Sequence, residues 1–132
     1  MLFRSVDAGG MTSAQLHDVA GGIGAVDAIS NLSLTAATVA ADIDALLSKA
    51  SGAVANATGM DQAQLTKLGL RAGSIASNGI TGDVVVDETV GNQAALFGKI
   101  AVAANVTVNA GSMDATALAF IDGVIEIGRA HV

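Results

Sequence analysis

The stretch from Ser33 to Ala57, SLTAATVAADIDALLSKASGAVANA, is the longest in the chain without a strong turn signal. Within it Val39, Ile43, Leu46 or Leu47, Ala50 and Val54 recur at three- and four-residue steps, the spacing that lines one face of a helix. Between them lie mostly Ala, Ser and Thr, with charge only at Asp42, Asp44 and Lys49. This pattern predicts one long helix over about 33–57, thin enough for neighbours to approach it closely.

The rest of the chain shares that texture. Hydrophobic residues make up 52% of the 132 positions, yet the only aromatics are Phe3, Phe97 and Phe120. Large rings dominate core and pocket energetics elsewhere, so this core is built from Ala, Val, Leu and Ile. Such thin contacts favour tight packing between elements or between subunits.

Two shorter seams flank the long one. Thr12 or Ser13 caps a helix in which Leu16, Val19 and Ile23 step by three and four, with Gly21, Gly22 and Gly24 breaking its far end. Near Asp61 a further segment begins, with Leu65, Leu68, Ala72 and Ile75 in the same rhythm. These seams resemble heptad packing but are too short for a stable coiled coil, and no strict repeat is evident. Ten residues are therefore the candidate assembly positions: Leu16, Val19, Ile23, Val39, Ile43, Leu46, Leu47, Leu65, Leu68 and Ile75.

After Asn78-Gly79 the character changes. Asp83–Asp87 is a β-branched run, and Ile100 to Val108 alternates with period two. Residues 90–104 fit helix or strand equally. Asp122-Gly123 between Ala115–Ile121 and Val124–Ile127 is a hairpin signal, since both turn residues tolerate positive φ. The predicted fold class is α+β in a single domain, 1–132. It comprises an N-terminal arm (1–11), a helical half (12–78) and an antiparallel β half (79–132).

Charge and motif content narrow the function classes. A net charge of −6, without any Lys/Arg cluster, speaks against nucleic-acid binding and against a polybasic membrane patch. No apolar run reaches the roughly 18 residues of a membrane span, and MLFRSVDAGG lacks a signal-peptide core. Zero Cys removes disulfides and thiol chemistry. His17 and His131 lie at opposite ends of the chain, and Asp42 and Asp44 sit two residues apart on different helix faces. Gly21-Gly22-Ile23-Gly24 is followed by no Gly-Lys-Ser/Thr, so a phosphate loop is unsupported. Neither a nucleophile elbow nor a D-x-D-x-D-G loop occurs. The chain is read as a non-enzyme with no cofactor or metal. If it carried a ligand pocket, Asp87, Glu88 and Glu126 would be its candidate carboxylates.

Short seams, a core without large anchors and exposed strand edges would all be relieved by self-association. The segment Val39-Ala40-Ala41-Asp42-Ile43-Asp44-Ala45-Leu46-Leu47-Ser48-Lys49 resembles a "VADxxALLxKL" helix ending of tailed-phage head-fibre and head-decoration proteins. That resemblance implies a virion structural protein, a capsid cement subunit on the outer head surface. It would be a homo-oligomer, commonly a trimer, with the major capsid protein as its partner. Another self-assembling surface or filament subunit is the alternative, and a small ligand-binding domain or enzyme ranks below both.

Overall fold

Helices and strands alternate from one end of the chain to the other. A computed structural model describes residues 4–129. The order is β1 (Ser5–Asp7), α1 (Ser13–Gly21), β2 (Ala28–Ser30), β3 (Ser33–Leu34), α2 (Ala40–Leu47), β4 (Ala53–Asn56) and α3 (Gln62–Leu70). It continues with β5 (Ile75–Thr81), β6 (Asp83–Val86), α4 (Gln93–Phe97), β7 (Asn105–Val108) and α5 (Ala115–Arg129).

Every strand pair is parallel. β1 pairs with β2, β3 with β4, β4 with β5, and β6 with β7. Single parallel bridges, Ile29 to Ala50 and Ile80 to Ile100, carry the pairing on from β2 and β5 to the following turn, so that three short sheets line up as a ladder. On the other side of the core α1 packs on α2, α2 on α3 and α3 on α4. The chain is thus a stack of five turns, each an extended segment, a loop and a helix.

A short signature marks each turn where its helix begins. Thr12-Ser13-Ala14-Gln15-Leu16, Val39-Ala40-Ala41-Asp42-Ile43 and Asp61-Gln62-Ala63-Gln64-Leu65 supply the first three. Asn92-Gln93-Ala94-Ala95-Leu96 and Asp114-Ala115-Thr116-Ala117-Leu118 supply the last two. Thr12 and Asp61 each close a capping box with the Gln three residues on, satisfying backbone N–H groups the helix leaves open. Asp114 accepts from the Ala117 N–H at 2.8 Å in the same role.

The interior is narrow. β4 and β6 alternate buried and exposed residues, turning Ala53, Ala55, Val84 and Val86 inward against Ile43, Leu46, Leu47, Leu65 and Leu96. Strand ladder and helix layer lie so close that Ala, Val and Leu fill the gap, which accounts for a core without rings.

This architecture corrects the sequence-based fold. The expected helix over 33–57 is three elements, β3, α2 and β4, because α2 stops at Leu47 and the chain turns at Gly52, where φ is +68°. The helical half contains β2 to β5, and the expected β half contains α4 and α5. Its strands β6 and β7 pair with one another in parallel instead of antiparallel. Asp122-Gly123 is not a hairpin, and Val124–Ile127 is not a strand; both lie inside α5. The expected irregular arm contains β1. Repeats, not evident in the sequence, are the organising principle.

Candidate functional site

The polar side chains of this molecule hold one turn to the next. Each side-chain hydrogen bond between residues distant in sequence spans 22 to 28 positions, about one turn. A stack of nearest neighbours with no long-range cross-links is the defining property of a solenoid.

Asp42 and Asp44 illustrate the arrangement. Asp42 meets His17 Nδ1 of the preceding turn at 2.7 Å, while Asp44 meets Arg71 Nε of the following turn at 2.9 Å, with Lys67 Nζ at 3.9 Å. The two carboxylates serve opposite neighbours and form no acid/base pair. The hydrogen bond and charge of Asp42 raise the His17 pKa above its ordinary value.

Gln64 is the most completely used polar group. It is buried, its Oε1 accepts from the Asp61 N–H, and its Nε2 donates to the carbonyls of Ala36 and Thr38 in the turn before. On the strand side, Asn31 Nδ2 donates to Asp7 at 3.1 Å and Asn105 Nδ2 to Asp83 at 3.0 Å, each across one rung. With the Gly9 N–H, Asn31 holds the Asp7 carboxyl below the usual carboxylate range. Thr38 alone among buried side chains of the described residues leaves its hydroxyl without a partner.

The ten assembly candidates divide between the core and the surface. Leu16, Ile43, Leu46, Leu47, Leu65 and Leu68 are buried on helices, and Ile75 is buried at the start of β5, not on a helix. Val19 and Ile23 are half-buried against the core. Val39 is 57% exposed at the N-cap of α2, where its counterparts are Thr12 and Asp61. Seven of the ten line the interior of the stack, Val19 and Ile23 pack at its margin, and Val39 stands on its surface.

Of the residues considered for chemistry, His17 and Asp42 meet as a link between turns. The Asp87 carboxylate is engaged by Thr89 in its own turn, and Glu88 is exposed. His131 and the Glu126 side chain lie outside the described residues. Among the described residues no group of three or more His, Asp or Glu could hold a metal, and no helix is long and apolar enough to cross a membrane.

The two ends of the stack are the positions sequence reasoning missed. Val106 shares the register of fully buried Val84, yet it is 39% exposed because no further turn covers it among the described residues. Val6, paired with buried Ile29, is only half-buried at the opposite end. Val102, Leu118 and Phe120 add exposed apolar surface on the last turn. Comparison with protein-family models, curated proteins and solved structures finds no match.

Proposed function

We propose that this chain is a non-catalytic structural subunit that works by self-association. The observation carrying this reading is the consistent use of polar side chains: among the described residues their distant hydrogen bonds run to the adjacent turn, and the outermost strands keep exposed apolar residues. Solenoids need polar terminal turns to stay apart in solution. Here the outermost described turns present Val6 and Val106.

The test is the mass of the purified chain by multi-angle light scattering at micromolar concentration. An oligomer is expected; a clean monomer of 12.9 kDa overturns the proposal.

The resemblance of Val39–Lys49 to head-decoration proteins favours a site of action for this subunit, the outer surface of a tailed-phage capsid, with the major capsid protein as partner and a trimer as the unit bound. Mixing the protein with expanded empty capsids tests this separately. Saturable binding in proportion to the lattice is expected, and no binding to the capsid of its own phage removes that placement while leaving self-association standing.

A further inference from the structure

We propose that copies of this chain join end to end, the first turn of one seated on the last turn of another as though it were a sixth turn. The inference rests on the self-association reading and specifies its joint.

Three observations converge on it. The first is the ladder. β1 pairs only with β2 and β7 only with β6 among the described residues, so parallel edges stand open at both ends. The edge groups of β7 face the direction in which each earlier strand receives its successor. Inward-facing Val106 and Val6 stand on these edges, each lacking the neighbour that buries Val84 and Ile29.

The second is the third residue of the first three helices, Gln15, Asp42 and Gln64. Asp42 uses the turn before it through His17, and Gln64 uses the turn before it through the carbonyls of Ala36 and Thr38. Gln15 occupies the same place in the first turn. Its Oε1 accepts from the Thr12 N–H, as that of Gln64 does from Asp61, but its Nε2 meets no acceptor among the described residues. Ala36 and Thr38 stand three and one residues before the N-cap of α2, and Gly111 and Met113 stand likewise before Asp114. Their carbonyls are the acceptors a seated Gln15 would reach.

The third is the sequence of the first turn. Asp7-Ala8-Gly9-Gly10-Met11-Thr12-Ser13-Ala14-Gln15-Leu16 is identical to Asn56-Ala57-Thr58-Gly59-Met60-Asp61-Gln62-Ala63-Gln64-Leu65 of the third turn at six of ten positions and keeps a capping residue at Thr12 and Asp61. The third turn is internal and rests on a predecessor. The first turn carries the same contact set without one. A second copy supplies it by a head-to-tail contact, which extends into a filament or closes into a ring according to curvature.

Aligning the helix starts at Thr12 and Asp114 as β6 and β7 align theirs at Asn92 and Asp114 pairs Val108 with Val6 and therefore Thr107 with Ser5. Cα atoms on neighbouring strands lie about 5 Å apart, within the span of a disulfide, and the native chain has no Cys. The test mixes separately purified Ser5→Cys and Thr107→Cys proteins under mild oxidation. A covalent dimer is expected in the mixture and in neither protein alone. Its absence, or equal cross-linking in the single samples, overturns the joint. In parallel, Val106→Glu should reduce the oligomer to monomer, while Val39→Glu, on the side of the stack, should leave it intact. An oligomer that survives Val106→Glu overturns the end-to-end joint but not self-association, whereas a monomeric wild type overturns both. If Val106→Glu fails to fold by circular dichroism, the cysteine pair decides.

Discussion

His17 and Asp42 link the first two turns through a 2.7 Å contact whose strength depends on the proton that His17 carries. Asp42 supplies most of the upward shift, by hydrogen bond and then by charge, with a smaller contribution from Asp18. Because the folded pKa lies above 6.5, the contribution to stability is present in full below that value and is lost as pH rises through the folded midpoint. An NMR titration resolved at His17 should therefore show a midpoint above 6.5 that Asp42→Asn returns toward it. The melting-temperature gap between wild type and Asp42→Asn should narrow from pH 6 to pH 8. Gly69 tests packing at the same scale. In an ordinary helix Gly→Ala stabilises by about 1 kcal/mol. At Gly69, however, an added Cβ would lie 2.7 Å from the Asn92 carbonyl oxygen, where α3 meets the start of α4. Overpacking costs about 1–3 kcal/mol, so Gly69→Ala should destabilise by about 1 kcal/mol net. A rise in urea midpoint would show that the two helices are free to separate.

At the level of elements, the second turn departs most from its neighbours. Its N-cap is Val39, whose side chain cannot accept a hydrogen bond, where Thr12, Asp61 and Asp114 cap α1, α3 and α5 and Asn92 at the start of α4 makes no side-chain capping bond. Val39→Asp should restore the missing acceptor and stabilise by about 1 kcal/mol, read as a higher urea midpoint with an unchanged slope. Beside it, Thr38 buries an unpaired hydroxyl where Met11 and Met60 stand in the first and third turns. Thr38→Val keeps the shape and removes the orphan, for a further gain of about 1 kcal/mol. These elements were partly legible in the sequence. The caps at Thr12 and Asp61, the break after Gly21 and the strand over Val106–Val108 all follow from local chemistry. Ser33–Ala57 did not, because an Ala-rich run satisfies helical spacing even where Ala53, Val54 and Ala55 alternate across a strand. Asp122-Gly123 misled for the opposite reason. A turn dipeptide sits in a helix whose Ala117 and Ile121, four residues apart, face the core.

The whole molecule was hidden by uneven spacing. The five helix-start signatures recur at intervals of about 22 to 31 residues, inside the range of known repeat arrays but irregular. Loop lengths absorb most of the difference, and a register shift between Ala53 and Ala55 in the β4–β5 pairing takes up more. The buried candidates were legible as core, since burial follows apolarity. The end faces were not, since Val106 and Val84 look alike in sequence and differ only in whether a turn follows. This same asymmetry governs unfolding. In a stack bound only by nearest neighbours, an interior turn supports two interfaces and a terminal turn one, so opening begins at the ends. Leu65→Ala in the central turn removes a fully buried side chain at a cost of about 2–5 kcal/mol, and its loss is felt on both sides. Hydrogen exchange in this variant should accelerate from α1 through α4 together. Met113→Ala, in the last turn, should instead speed exchange in β7 and the start of α5 while α1 and α2 keep their wild-type rates. Uniform acceleration in both variants would mean that the five turns open as one unit. The end faces would then be as rigid as the core, and a partner docking there would gain little by ordering them.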